Sequence, residues 1–317
     1  MGHGKLRKFA ENETFRCLLQ PDASMILDKS LDDKQLRLNE HPIRGHWGQK
    51  IFGNDHPIVL ELGCGKGDYT IALARLHPDI NYIGVDIKGA RLWKGAKEAT
   101  EYEMPNVAFL RTRIEFIEAF FGPGEVSEIW LTFSDPQLHG SENSRLTSPL
   151  FLERYRKFLA PGGIVRLKTD SRFLYEYTRA LCEVNHLEIV SYGTDIYREG
   201  VCVPESLATL GPIRGRGPLM REARKLGGVA QRRFGDADPL PVKDALPVKE
   251  GEVDEVLQVL TFYETMFLEM GLPITYLAFQ IDHEGPYAYP GEAFDHDRWL
   301  EAEGPRRSFS HQPTKKG

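Results

Sequence analysis

Covalent cross-links are the first thing this sequence is short of. Its 317 residues include four cysteines, Cys17, Cys64, Cys182 and Cys202, scattered with no CxxC pair and no histidine at metal-ligand spacing. That pattern excludes a disulfide framework and a structural zinc, so reduced thiols and no bound metal are expected. Long apolar runs are missing too. Nothing approaches the roughly 18 consecutive apolar residues that a membrane span needs, and the N-terminal MGHGKLRKFAENETF lacks the apolar stretch of a secretory signal. A soluble, cytoplasmic protein with no membrane contact is the expectation. The third absence is net positive charge. A formal charge of -6 means that a nucleic-acid partner would have to be held by a local basic patch, because phosphate contacts come from Lys and Arg.

What is there is a globular composition. With 41% hydrophobic and 27% charged residues, general disorder is excluded, and the length suits one large α/β domain with attachments or two small domains. No internal repeat is visible. From residue 58 to about 193, short β-rich apolar runs alternate with longer helical stretches, the signature of parallel strands joined by crossover helices. The pattern predicts strands at Ile58 to Leu62, Asn81 to Asp86, Val107 to Arg111, Glu128 to Phe133, Ile164 to Thr169 and Leu187 to Ser191. Between residues 200 and 250 six prolines and seven glycines interrupt it, which reads as an insertion or linker. Periodicity then returns in DEVLQVLTFYETMFLEM, predicted as a helix ending at Gly271, and in ITYLAFQI at 274 to 281, a strand that closes the fold. From His283 the chain is polar and rich in Gly, Pro and charge, so residues 283 to 317 are expected to be a poorly ordered tail.

The segment IVLELGCGKGDYTIALA reads as strand, glycine-rich turn, then helix, with Gly63, Gly65 and Gly67 spaced GxGxG. Glycines let the backbone bend sharply and approach a ligand closely, and the following helix presents free N–H groups. A nucleotide-like cofactor suits such a turn. The dinucleotide fingerprint GxGxxG has its third glycine one position later than Gly67, so the spacing favours S-adenosylmethionine over NAD. Glu61 lies just before the turn and Asp86 closes the second strand in YIGVDI. A carboxylate at Asp86 can accept from both hydroxyls of a ribose, or it is a solvated acid at a strand end. Glu61 can face the same ligand or hold the glycine loop through backbone amides.

The run EIWLTFSDPQLHGSENSRLTS sets Asp135 and Pro136 just after a buried strand, beside the glycine turn in a doubly wound sheet, where ligands collect at strand C-termini. Together with LELGCGKG, GVDIKG, LKTDS and TFYE in order, the LTFSDP loop resembles the bacterial tRNA (guanine-N7)-methyltransferases. The resemblance runs from about Lys5 to Asp282, leaving out the insertion. It implies that Glu61, Asp86 and Asp135 surround S-adenosylmethionine beside Gly63 and Gly65, and that Asp170 and the run Thr261, Phe262, Tyr263, Glu264 touch the RNA. His139 stands where the family has a substrate-binding lysine, Ser134 replaces a proline, and Arg145 is the single basic residue left nearby. A further family acid aligns with Arg113 and is not carried over. These departures bear on RNA affinity rather than on cofactor binding.

The chemistry agrees with such a substrate. Guanine N7 has an available lone pair and no proton, so attack on a methyl sulfonium needs alignment rather than a strong base. A carboxylate such as Asp135 would stabilise the positive charge developing on the purine and could accept from guanine N1–H or N2–H. The plainer reading of Asp135 is a turn-forming Asp-Pro pair. Asp170 could equally be a helix N-cap. Thr261 and Glu264, three apart on a predicted helix, share a face that could simply be solvated.

The insertion is electrically two-faced. Arg214, Arg216, Arg221, Arg224, Lys225, Arg232 and Arg233 meet one acid, Glu222, whereas Asp236 to Glu255 holds seven acids and two lysines. Either the basic half grips RNA phosphates or the two halves pair with each other. The KLRKF run near the N-terminus is a second candidate for RNA contact. The expected architecture is a doubly wound, mostly parallel seven-stranded α/β sheet of the Rossmann-like methyltransferase type. Residues 1 to 50 form an N-terminal arm, residues 51 to 282 the methyltransferase domain with its insertion at about 200 to 250, and the strand at Ile274 to Ile281 is antiparallel. The competing functions are a methyltransferase of the same fold on another substrate and a non-catalytic RNA-binding relative.

Overall fold

The computed structural model describes residues 3–28, 37–204, 245–247, 257 and 259–303. Within these, one sheet of ten strands carries the fold, in the order β1-β4-β3-β2-β5-β6-β10-β7-β8-β9. The strands are β1 (Leu18–Leu19), β2 (Ile58–Leu62), β3 (Asn81–Asp86), β4 (Val107–Arg111), β5 (Val126–Thr132), β6 (Leu159–Thr169), β7 (Ile189–Gly193), β8 (Cys202–Pro204), β9 (Ala245–Pro247) and β10 (Thr275–Gln280). From β1 to β6 all pairings are parallel, and β10 runs antiparallel between β6 and β7. The central strands β2 and β3 are buried along their whole length, as continuous apolar runs in a sheet covered on both faces must be. The described α-helices are α1 (His3–Asn12), α2 (Ala23–Ile26), α3 (Asp68–Leu76), α4 (Gly89–Glu101), α5 (Pro149–Tyr155), α6 (Arg172–Val184), α7 (Phe262–Glu269) and α8 (His296–Glu303). The chain leaves β2 for β3 on one side and later returns to β5 on the other. The C-terminal ends of β2 and β5 therefore flank the topological switch point, where open α/β sheets bind ligands.

Three strands go beyond the expected seven. β1 pairs with the outer edge of β4, and β8 and β9 extend the opposite edge beyond β7. Short additions of this kind occupy backbone donors and acceptors that a bare edge would expose. The insertion thus leaves and re-enters the sheet edge through β8 and β9. Its basic stretch from Arg214 to Arg233 and most of the acidic stretch lie outside the described residues.

The described residues among the first 50 pack on the domain. The Asn12 amide donates to Gly89 O at 2.9 Å, and the Trp47 indole, fully buried, donates to Phe120 O. The expectation of a poorly ordered tail fails for residues 283–303. Tyr287 and Trp299 are buried, and Glu303 on α8 accepts from the Ser171 hydroxyl and Phe173 N–H at the start of α6. Three aromatics in an otherwise polar segment, Tyr287, Phe294 and Trp299, supply the apolar area that docks it. Residues 304–317 lie outside the described set.

Among the described residues the last predicted helix starts at Phe262, with Val259 and Leu260 outside it, because Thr261 and Glu264 form a capping box, the Thr261 hydroxyl accepting from Glu264 N–H and the Glu264 carboxylate accepting from Thr261 N–H. Asp254 to Val256 lie outside the described residues.

Candidate active site

A cleft of about 1210 Å³ opens at the switch point, larger than the roughly 300–1,000 Å³ that holds one drug-sized ligand. Its floor is the turn between β2 and α3. Gly63 and Gly65 sit at φ +80° and +59°, and a Cβ on either would meet no atom within 4 Å. These two glycines face open space that a side chain would fill. Gly67 is glycine for a different reason: a Cβ there would lie 2.6 Å from the Phe109 ring. It serves packing between α3, α4 and β4.

Glu61, one residue before the end of β2, lies beneath this turn and is 4% exposed. One carboxylate oxygen accepts from Thr70 N–H at 2.9 Å and from the Thr70 hydroxyl, and the other accepts from the Thr132 hydroxyl on β5. Burial pushes its carboxyl up to about 7, against the opposing pull of those hydrogen bonds. Asp86 at the end of β3 accepts from Gly65 N–H at 3.0 Å with one oxygen and from Lys88 N–H at 2.7 Å with the other. Both acids line the cleft and both tie the glycine turn to neighbouring strands.

Across the cleft the geometry changes. Phe133, just past β5, holds φ +51°, a left-handed conformation that costs a non-glycine residue on the order of 1–3 kcal/mol and often marks a functional turn. This bend throws the following loop outward. Asp135 is exposed and lines the cleft. One of its oxygens accepts from Gln137 N–H at 2.9 Å, so the turn-forming reading is realised while the second oxygen stays available to the cleft. His139 is exposed on the same loop. Arg145 is 3% exposed, donating to Pro136 O and lying over the rings of Phe173 and Tyr177. It braces the loop and cannot reach a phosphate in solvent.

Asp170, at the end of β6, is 8% exposed and lines the cleft. Ser171 is the N-cap of α6, its hydroxyl accepting from Leu174 N–H, so the capping role does not fall to Asp170. Thr261 and Tyr263 line the cleft, Tyr263 with 40% exposure. Phe262 opens α7. Glu264 does not reach the cleft: fully buried, it pairs with Lys168 at 2.7 Å and accepts from the Tyr197 hydroxyl at 2.6 Å. Lys168 also donates to Leu257 O and Val259 O. The capping box thus turns Thr261 and Glu264 to different surroundings, correcting the expectation of a shared helix face.

Sequence reasoning missed Thr70 and Thr132, which hold Glu61, and Lys168 and Tyr197, which hold Glu264. A hydroxyl beside a strand-end acid was the available signal for Thr132. Nothing in the sequence pairs Lys168 with a residue 96 positions away. Cys64, in the turn itself, is buried with its thiol pushed up by burial and by Glu61, so it is no nucleophile. Among the described residues no group of His, Cys, Asp and Glu could hold a metal ion.

The donor set suits an adenosyl cofactor: two open glycines, a strand-end carboxylate at Asp86, and a buried second acid at Glu61. The Ser134 hydroxyl, buried at the cleft with no partner, leaves a further polar group to be satisfied there. Fold and cleft together define the class of S-adenosylmethionine-dependent α/β methyltransferases. The comparisons with known proteins agree and go further. A family described as a putative methyltransferase matches residues 55–196. A tRNA (guanine-N(7)-)-methyltransferase of Bacteroides thetaiotaomicron is 39% identical over 308 residues, 97% of this chain and 98% of that protein. One of Christiangramia forsetii is 41% identical over 278 residues, 87% and 97% of the two chains. Among solved structures, an antibiotic related methyltransferase is similar at 14% identity and a TM-score of 0.43, over 74% of this chain and 92% of that one. The chain belongs to the tRNA (guanine-N(7)-)-methyltransferase family.

Proposed function

We propose that the protein transfers a methyl group from S-adenosylmethionine to N7 of a guanosine in tRNA, acting in the cytoplasm. The observation that carries this reading is identity of 39% along 97% of the chain to a protein of that named activity, with the acids Glu61, Asp86 and Asp135 lining one cleft. When bound, the cofactor supplies an electrophilic methyl group on a sulfonium. The chain's residues do the rest. Gly63 and Gly65 let the cofactor approach the backbone. Asp86, already oriented by Gly65 and Lys88, accepts from the ribose hydroxyls, and Glu61 fixes the turn from below. Asp135 accepts from guanine N1–H or N2–H and offsets the charge that develops on the ring as N7 attacks. No residue has to remove a proton, because N7 carries none. His139, Asp170, Thr261 and the exposed ring of Tyr263 border the same opening and are assigned to the RNA, as is Phe262 by its place in the motif.

One observation favours a second reading. With Arg145 buried, the loop after β5 presents no cation, as a methyltransferase of this fold with another substrate would allow. Incubating the protein with bulk tRNA and labelled cofactor, then analysing the nucleosides, separates the two. Labelled 7-methylguanosine is expected. Label in another nucleoside, or none in tRNA with transfer to a different acceptor, supports the second reading.

A further inference from the structure

Cations at the cleft are concentrated on the side away from the loop after β5. Lys88, immediately before α4, and Arg91, in its first turn, are exposed and line the cleft. Farther along α4, Lys94 pairs with Asp68 and Lys97 with Glu101, whereas Lys88 and Arg91 have no acidic partner among the described residues. Helix α1 packs at this point. Phe9 comes so close to α4 that a Cβ on Gly89 would lie 3.1 Å from its ring, and Trp93 donates to Glu11 at 2.6 Å. Two more cations stand on α1 without an acidic partner: Lys5, 5.9 Å from the centre of the Phe9 ring, and Lys8, 4.5 Å from that of Trp93.

Lys5, Lys8, Lys88 and Arg91 thus make a basic shoulder on two elements in contact, α1 and the start of α4, beside the Phe9 and Trp93 rings, on a chain whose formal charge is -6. Uncompensated like charges repel one another, and a cation–π contact at an exposed site returns only about 0.5–1 kcal/mol. A polyanion would neutralise the group, and one of its ends is the cleft itself. We propose that the shoulder formed by α1 and the start of α4 grips backbone phosphates of the RNA whose guanosine enters the cleft. This rests on the proposed function and supplies the cations that the loop after β5 lacks. The backbone then crosses the cofactor side of the opening, with Asp135 meeting the base from the other side.

The test measures binding of fluorescently labelled tRNA as a function of KCl for the full chain, together with calorimetric titration of S-adenosylmethionine. Each phosphate contact contributes a slope of roughly 0.7–0.9 in log affinity against log salt. The variant Lys5→Ala/Lys8→Ala, altered at one exposed and one half-buried position of α1, should lower that slope by about 1.5 and weaken tRNA binding about tenfold at low salt. Cofactor affinity should be unchanged, and Lys5→Arg/Lys8→Arg should keep the wild-type slope. An unchanged slope and affinity in the alanine variant, with wild-type tRNA binding intact, overturns the shoulder and moves the grip to Arg214–Arg233. If the wild-type chain binds no tRNA while still binding cofactor, the functional reading itself fails and the shoulder falls with it.

Discussion

Glu61 and Asp135 face one cleft from opposite sides and are held in opposite ways. Glu61 is 4% exposed, accepts three hydrogen bonds from Thr70 and Thr132, and stands under a turn that Asp86 also ties down. Asp135 is exposed on a loop that leaves β5 through a left-handed Phe133, with one bond to its own turn. On the first side the acids are set before any ligand arrives: Glu61 and Asp86 are already hydrogen-bonded to the turn and its neighbours, and the space above Gly63 and Gly65 is open. The second side keeps its polar groups unspent. On the proposed assignment, a cofactor that is the same in every turnover suits the preorganised seat, and a macromolecular substrate brings partners to the other side. Glu264 sharpens the contrast, since by motif it belongs with the substrate side and by burial it belongs with the scaffold.

The largest effect expected is therefore on stability. Glu264→Ala strands the Lys168 ammonium in the interior, which costs about 3–5 kcal/mol when one partner of a buried pair is removed. Urea unfolding checks it. Unchanged stability with lost tRNA affinity would return Glu264 to the substrate side.

Next comes Glu61, whose carboxyl sits near 7 against an ordinary value of 4.5. Because the folded value is the higher, this group's contribution to stability is fully present below about pH 4.5 and is lost as pH rises through about 7, a change of ~3 kcal/mol. Glu61→Gln cannot titrate. The stability advantage of wild type over that variant, without cofactor, should shrink by about this amount between pH 4.5 and 8. A difference independent of pH would mean that the acid is ionised throughout and the seat is less buried than its hydrogen bonds imply.

A smaller effect is expected at Asp86. Asp86→Ala frees Gly65 N–H and Lys88 N–H and removes the proposed ribose acceptor, so calorimetry should find cofactor binding weaker by about 1–3 kcal/mol. Unchanged affinity would take Asp86 out of the cofactor seat and blur the division between the two sides.

How far the sequence carried these conclusions differs between the same two regions. β2, β3 and β4 fall on the residues that apolar runs and turn signals mark out, and the glycine turn with its two acids is local in the chain, so spacing alone brings it together. On the other side the deciding contacts are remote. Arg145 reads as a free cation until Phe173 and Tyr177 cover it. Thr261 and Glu264 read as one helix face until the capping box starts the helix at Phe262. Residues 283–303 read as a polar tail because the buried Tyr287 and Trp299 and the half-buried Phe294, dispersed among many charges, leave no periodicity to detect.

The division of labour is tested most directly at Asp135. Asp135→Asn keeps the shape of the turn and removes the charge, and single-turnover methylation of tRNA at saturating cofactor isolates the chemical step. The rate is expected to fall on the order of a hundredfold or more, as loss of a group that stabilises transition-state charge does, with S-adenosylmethionine affinity within about twofold of wild type. A near-normal rate in the folded variant, or a loss of cofactor affinity as large as the loss of rate, would contradict it.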